Sequence, residues 1–198
     1  MSPLKSPETE YEHYSLPAFD AGLMPVRELG EAIKSNKTPV PDEAILISKL
    51  NPHIPRIWFT GKVHANAICS TEFLVWTAAR GMTAEYVFCL AVSTPFNTAM
   101  KQLVTGTSNS HQRVKPDHLK SIPTVIPTGG LAQAFGTFVE PLFHRIQENR
   151  LIAQSLGHLR DTLLPRLISG KLRLPEAETM LDDNMQSNHS SEAAEVTR

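Results

Sequence analysis

The sequence predicts an α+β protein in which a small, mostly antiparallel sheet domain with short helices is followed by one long projecting helix of the coiled-coil type. Between residues 44 and 77, short β-rich runs alternate with Pro, Gly and Asn, as strands alternate with turns. From Leu131 to Gly170, apolar residues instead recur at steps of mostly three and four, which is the spacing of one helical face. This change of period separates the sheet domain from the helix.

The composition allows a real core and indicates two polar ends. The chain has 198 residues, of which 41% are hydrophobic, and this suits one ordinary domain plus an appendage, or two small domains. Residues 1–10 are poor in apolar side chains, and the last residues are mostly acidic or polar. We therefore expect a flexible lead-in over residues 1–10, a domain over 11–127, the long helix over 128–174, and a disordered acidic tail over 175–198.

The expected strands follow one another in the first half of the chain. Residues 11–20 concentrate two of the three tyrosines with a histidine and then turn at Pro17, which is typical of a packed irregular edge rather than a regular element. A polar loop with two prolines covers residues 35–42. The four predicted strands span residues 44–47, 56–60, 66–70 and 72–77.

Short helices are predicted after these strands. Thr83 and Thr94 are good N-capping residues, and Pro95 suits a first helical position. Pro116 is expected to open a further helix of one turn. The predicted elements are helices over residues 83–90, 95–103 and 116–119, and a last strand over residues 124–126 between two prolines.

The long helix carries an apolar stripe that has no obvious partner inside the sequence. At about 1.5 Å per residue, the roughly 33 residues from Leu131 to Leu163 span on the order of 50 Å, more than the width of a small domain. We expect the helix to project, to be interrupted in its first turns by Pro141, to be bent in its last turns by Pro165, and to end at Gly170. An ordinary core helix is the alternative. The side chains expected at a helix–helix interface are Phe135, Phe138, Leu142, Ile146, Ile152, Leu156, Leu159 and Leu163.

Charge is segregated along the chain, although the formal net charge is only −1. Residues 34–120 hold ten basic and five acidic side chains, whereas residues 1–33 hold two basic and six acidic ones. Because local charge governs attraction to phosphates more than the total does, the middle of the chain is the candidate nucleic-acid-binding part. Chance clustering on a solvated surface is the alternative.

The sequence lacks the motifs of enzymes that act on DNA. Asp42 suits the first carboxylate of a metal-dependent nuclease, but Ile47 stands where the second is needed. The sequence contains no glycine-rich loop for a methyltransferase cofactor and no phosphate-binding loop for ATP. We therefore predict a non-catalytic protein without a cofactor or metal. Cys69 and Cys89 form no metal-binding pair, and no apolar run reaches about 18 residues, which favours a cytoplasmic protein without a membrane span.

Residues suited to phosphates and bases cluster in one polar loop and in several basic turns. Residues 105–113 combine a glycine, small hydroxyl groups and longer donors, which suit phosphate oxygens or base edges; a plain polar surface loop is the alternative. Residues 48–52 add a lysine and an asparagine on a constrained turn. The candidate DNA-binding residues are Lys37, Lys49, Asn51, Arg80, Thr107, Ser108, Ser110, His111, Gln112, Arg113 and Lys115.

Several motifs together resemble the specificity (S) subunit of type I restriction-modification systems. The matching segments are YEHYSLPAFD at residues 11–20, SNK at 35–37, SKLNP at 48–52, PRIW at 55–58, STEF at 70–73, TGTSNSHQR at 105–113 and LRDTLLPRLISG at 159–170. They occur in the order found in that family. The similarity extends over most of the chain.

The resemblance implies a division of labour among subunits. In that family a target recognition domain reads one half of a split double-stranded DNA sequence, and a long helix packs against its counterpart as a spacer and a platform for methyltransferase (M) subunits. Residues 11–127 would then be the recognition domain and residues 131–170 the helix. DNA methylation and the cleavage used in host defence would belong to separate M and restriction (R) subunits.

The sequence departs from the family in size. A full S subunit has two recognition domains that alternate with two helices, and this sequence shows one of each. The resemblance therefore implies either a homodimer that recognises a palindromic split site or pairing with another S chain. A second interpretation is a truncated interaction protein that occupies the methyltransferase platform through its helix without binding DNA. A third is a self-sufficient nuclease, which would require magnesium-dependent cutting by the chain alone.

Overall fold

A computed structural model describes residues 1–79, 81–105, 112–128 and 130–171. The chain divides into two compact units, Met1–Ile146 and Gln147–Arg198. The last helix, α5 (Leu131–Ile168), begins in the first unit and ends in the second. Within the described ranges, no helix combines the length and the apolar character needed to cross a membrane.

A four-stranded sheet contains the first three strands of the chain. Its order is β2 (Val26–Leu29), β1 (Glu10–Tyr14), β6 (Ala67–Ser70) and β3 (Lys37–Pro39). The β1–β6 pair is parallel, and the other two pairs are antiparallel. Side chains alternate along β1, so that Tyr14 faces the core beside Cys69 while His13 lies on the opposite face. Helix α1 (Leu16–Asp20) follows β1 directly and is capped by Ser15.

A three-stranded sheet is buried on both faces. Its order is β5 (Ile57–Phe59), β4 (Ile45–Ser48) and β7 (Phe73–Trp76), and both pairs are antiparallel. On one face, Ile45 and Ile47 pack in a cluster with residues of helices α2 (Ala84–Val92) and α3 (Thr94–Gln102). On the other face, Leu46 and Trp58 pack with Tyr14 of the four-stranded sheet. Because β4 is covered on both sides, its apolar run shows no alternation.

The end of the first unit consists of a short hairpin and two helices. Strands β8 (Val104–Thr105) and β9 (Arg113–Val114) pair antiparallel, and α4 (Pro116–Lys120) follows them. Ala132, Gly136 and Val139 of helix α5 are buried, and Gly136 lies against Thr83, the N-cap of α2. One turn later, the Phe143 ring lies 5.0 Å from the ring of Phe59 and 5.4 Å from that of Phe88.

The predicted α+β class is confirmed. The four predicted strands correspond to β4, β5, β6 and β7, and the three predicted helices to α2, α3 and α4, with ends shifted by a residue or two. The N-cap of α3 is Ser93 rather than Thr94. Helix α5 is continuous through Pro141 and Pro165, and Gly170 follows it with φ of +67°, as expected for a glycine that ends a helix.

The start of the chain is more regular than predicted. Residues 11–20 form β1 and α1 instead of an irregular edge, because β1 gains hydrogen-bonded neighbours on both sides from distant strands. Residues 1–10, the expected lead-in, include a 3-10 helix, Pro3–Lys5, with Pro3 buried. The Gly30 N–H donates to the Thr9 carbonyl oxygen at 2.9 Å.

The strand expected at residues 124–126 is absent, and this segment has no regular structure. Val125 is 79% exposed, and its carbonyl oxygen accepts a hydrogen bond from the Tyr86 hydroxyl at 2.7 Å. A side-chain hydroxyl therefore satisfies a backbone group that a neighbouring strand would otherwise pair.

Candidate nucleic-acid interface

Two segments that lie far apart in the sequence run side by side at one end of β4. The Val114 N–H donates to the Lys49 carbonyl oxygen at 3.0 Å, and the Asn51 N–H donates to the Gln112 carbonyl oxygen at 2.9 Å. Leu50 and Arg113 form an antiparallel bridge between these two bonds. The structure thereby brings together four of the predicted DNA-binding residues, which are Lys49, Asn51, Gln112 and Arg113.

The turn at Asn51 has a fixed backbone geometry. Asn51 has φ of +49°, in the left-handed region that asparagine tolerates better than most residues. The Ile54 N–H donates to the Asn51 carbonyl oxygen at 2.9 Å, and Pro52 is fully buried next to it. The Asn51 Oδ1 atom is buried and has no hydrogen-bond partner among the described residues. The constrained turn predicted from the sequence is therefore present.

Glu72, which was not among the predicted site residues, connects the two segments. Its carbonyl oxygen accepts the Lys49 N–H at 2.8 Å, and its carboxylate Oε1 accepts a hydrogen bond from Arg113 Nη2 at 2.8 Å. The Glu72 side chain is 27% exposed and that of Arg113 is 56% exposed, so this ion pair lies at the protein surface. The sequence contained one indication of Glu72, its place in the STEF motif.

The cluster has an excess of positive charge. Lys49, Arg113 and Lys115 are cationic, and Glu72 contributes one carboxylate. Lys115 is exposed and immediately precedes α4. Lysine and arginine side chains are the usual donors to phosphates. The guanidinium group of arginine and the amide groups of asparagine and glutamine also match the hydrogen-bonding groups of base edges. Within the described part of the chain, no group of three or more His, Cys, Asp or Glu side chains is arranged to hold a metal ion.

Lys37, another predicted DNA-binding residue, is buried. Lys37 is only 9% exposed in β3, where its ammonium donates to Ser35 Oγ at 2.5 Å. Burial lowers the pKa of Lys37. The side chain of Lys37 is therefore buried, whereas that of Lys115 is exposed at the surface. The residues that fall outside the described ranges are Arg80, Thr107, Ser108, Ser110 and His111.

Most of the predicted helix-interface side chains are exposed. In the first unit, Phe138 is 77% exposed and Leu142 is 58% exposed, and Phe135 contacts the Tyr86 ring at 6.0 Å. In the second unit, Ile152 and Leu156 are more than half exposed. Exposed apolar groups in such a row are typical of an interaction surface. Of the remaining three, Ile146 is exposed, and Leu159 and Leu163 are partly exposed.

Comparisons with known proteins in both sequence and structure point to one family. No family model matches the chain. The chain is 31% identical over 94 residues to the type I restriction enzyme MjaIX specificity subunit of Methanocaldococcus jannaschii, which is 46% of this chain and 20% of that protein. Its structure is similar to the HsdS subunit from Thermoanaerobacter tengcongensis, with a TM-score of 0.60 and 21% identity over 83% of this chain and 43% of that one. A chain from a structure on complex assembly and conformational transition of the type I R-M system gives a TM-score of 0.57 and 22% identity, over 88% and 46% of the two chains.

The chain resembles a type I specificity subunit in sequence and in fold. The resemblance that its motifs indicated is therefore confirmed. This chain spans less than half of the length of the specificity subunit and of the two solved chains named above.

Several of the motifs quoted in the sequence analysis hold the domain together. Asp20, at the end of YEHYSLPAFD, accepts two hydrogen bonds from Arg56 of PRIW, at 2.8 and 2.9 Å. These bonds hold the pKa of the Asp20 carboxyl below its usual value. The rings of Tyr14 and Phe19 contact the Trp58 ring edge-on, at 4.8 and 5.7 Å. These motif residues therefore have a structural role in the domain.

Proposed function

We propose that this chain is a DNA-binding specificity subunit, which directs separate M and R subunits of a type I restriction-modification complex to a split site in double-stranded DNA. In this proposal the chain is non-catalytic, and methylation and cleavage belong to its partners. Two findings support it. The chain resembles type I specificity subunits in sequence and fold, and a cluster of basic and amide side chains occurs at residues 49–51 and 112–115.

The meeting of these two segments is the observation that carries the proposal. Each segment alone is a weak sign of DNA binding, because single basic turns are common on protein surfaces. The two segments are joined by backbone hydrogen bonds, and together they contain two residues of a type that binds phosphates, Lys49 and Lys115, as well as amide and guanidinium groups. We include Asn51, Gln112 and Arg113 as candidates for base contacts. Lys37 is left out of the interface because its side chain is buried.

We further propose that α5 pairs with a helix of another S polypeptide and serves as a platform for M subunits. The exposed row of apolar side chains on α5 supports this role, because such a row is stabilised when a second helix covers it. A homodimer would present two identical recognition domains with two-fold symmetry and would recognise a palindromic split site. Elution of the purified chain as a monomer at micromolar concentration would contradict the homodimer.

Salt-dependent binding of the purified chain to duplex DNA tests the DNA-binding role. If the basic cluster contacts phosphates, the logarithm of the binding constant should fall linearly with the logarithm of the salt concentration. The absence of such a slope would favour a protein that occupies the methyltransferase platform without binding DNA. Cutting of DNA by the chain alone in the presence of magnesium would contradict the non-catalytic role.

A genome-wide map of methylated adenines, with and without the gene, tests the role in directing methylation. Loss of a palindromic split motif on deletion is expected for a homodimer. Loss of an asymmetric motif is expected if the chain pairs with a different S chain. If no methylated motif depends on the gene, the proposed function is wrong.

A further inference from the structure

The carboxylate of Glu72 pairs with Arg113 of the basic cluster, and its negative charge opposes attraction to phosphates. Like charges repel, so a carboxylate beside Arg113 weakens general binding to the negatively charged DNA backbone. A surface that only neutralised phosphates would bind them more strongly without this group. The position of Glu72 therefore indicates a role other than raising affinity.

Glu72 is held firmly and in turn holds Arg113. The Glu72 N–H donates to Ser70 Oγ at 3.2 Å, and its carbonyl oxygen accepts the Lys49 N–H at 2.8 Å, so the backbone of Glu72 is fixed on both sides. From this position its carboxylate accepts the hydrogen bond from Arg113 Nη2 at 2.8 Å. A planar guanidinium that is held by a carboxylate has fewer orientations to lose when it binds a ligand.

Orientation matters more for base contacts than for phosphate contacts. A phosphate accepts hydrogen bonds from many directions, and lysine satisfies it as a point charge. Guanine, in contrast, presents O6 and N7 in one plane, and a guanidinium must match that plane to bond both. A group that fixes the guanidinium at the expense of positive charge therefore suits the reading of a base.

We propose that Glu72 is a positioning residue for sequence recognition, and that it orients Arg113 to contact a guanine edge in the major groove. The proposal rests on the proposed DNA-binding function and deepens it, because it assigns Arg113 to a base and not only to the phosphate backbone. Glu72 itself need not touch DNA. Its effect is on the ratio between binding to the recognised sequence and binding to other sequences.

The test is a comparison of the full chain with its Glu72→Gln variant. Duplexes are first selected with the wild-type chain from a pool with a randomised centre, and affinities are then measured for a selected duplex and for a scrambled one. We expect Glu72→Gln to reduce the ratio of the two affinities about tenfold, since one bidentate base contact accounts for a discrimination of that order. Affinity for the scrambled duplex should stay the same or rise, because a negative charge is lost.

Asp117→Asn is the matched control. Asp117 lies in α4, close in sequence to Lys115, and it pairs with Lys120 at 3.1 Å on the exposed surface. The substitution removes the same charge without touching Arg113, so the affinity ratio should not change. If Glu72 only connected β7 to β9, Glu72→Gln would lower the thermal midpoint and weaken both duplexes in parallel, and that outcome would overturn the proposal.

Arg113→Lys provides a second test that does not depend on the stability of the Glu72 variant. Lysine keeps the charge but loses the planar fork, so the affinity ratio should fall while the salt dependence is retained. An unchanged ratio in Arg113→Lys would overturn the assignment of Arg113 to a base. If Glu72→Gln and Arg113→Lys keep the affinity ratio of the wild-type chain, only this inference fails. If the wild-type chain binds no DNA, the proposed function fails with it.

Discussion

Replacement of Gly136 by alanine should loosen the attachment of α5 to the domain. A Cβ atom at this position would lie 2.5 Å from both Oγ1 and Cγ2 of Thr83 and 2.8 Å from its Cβ. Real Cβ atoms essentially never approach so closely, and rotation of the Thr83 side chain cannot move its own Cβ. Either α5 or the start of α2 must therefore shift.

The size of the effect follows from three contributions. Overpacking of a closely packed site costs about 1–3 kcal/mol. Thr83 also caps α2, because its Oγ1 accepts the Tyr86 N–H at 3.3 Å, and loss of such a cap costs about 1 kcal/mol. Alanine in a helix interior gains about 1 kcal/mol over glycine. Gly136→Ala should therefore lower the free energy of unfolding by about 1–3 kcal/mol, which corresponds to a fall of roughly 2–12 °C in the thermal midpoint for a chain of this size.

Urea and thermal unfolding followed by circular dichroism measure this effect, and Gly157→Ala is the matched control. Gly157 lies in the same helix, but a Cβ atom there would meet nothing within 4 Å. Only the gain in helix propensity applies, so this variant should be as stable as the wild type or about 1 kcal/mol more stable. Thr83→Ser in the Gly136→Ala background keeps the capping oxygen and removes Cγ2, so it should restore part of the loss. If Gly136→Ala is as stable as Gly157→Ala, the close approach of α5 to Thr83 is not as described.

Three further predictions concern other contacts. Arg113→Ala should weaken binding to duplex DNA and reduce the salt slope. An unchanged slope and affinity would remove Arg113 from the interface. Gly30→Ala should lower the free energy of unfolding by about 1–3 kcal/mol, because a Cβ atom there would collide with the backbone carbonyl oxygens of Pro3 and Ser6. Motion of side chains cannot relieve this collision. A urea midpoint equal to that of the wild type would contradict this packing. Because Arg56 lowers the pKa of Asp20, this pair stabilises the fold above the usual carboxyl pKa of about 4 and loses that contribution as the pH falls through the lower folded value. Asp20→Asn should therefore be less stable than the wild type near pH 7 and converge with it in acid, and a constant difference at all pH values would exclude the linkage.

Local patterns were enough to predict the regular elements. The strands β4 to β7 and the helices α2 to α4 were predictable because propensity, capping residues and proline positions act within a few residues. The same holds for α5, whose three-and-four spacing extends far beyond an ordinary helix. The family resemblance also followed from the sequence, because its motifs are contiguous.

Which of these helices and strands pack or pair with one another depended on contacts between residues far apart in the sequence. The predicted stripe of large apolar residues is the exposed side of α5, whereas the helix packs through Ala132, Gly136 and Val139. Ala132 and Gly136 carry little hydrophobic signal, and the role of such small residues appears only where two backbones approach closely. The parallel pairing of β1 with β6 likewise left no mark in the local sequence of residues 11–20.

The sequence by itself determined that this chain has a sheet domain, a long helix and the motifs of a specificity subunit, since each of these is a pattern of neighbouring residues. Only the tertiary structure decided which candidates share a surface. It buried Lys37, joined Asn51 to Gln112 and placed Glu72 against Arg113 across 41 residues. The physical reason is that burial and hydrogen bonding depend on which distant segments meet, and residue type alone does not fix that choice.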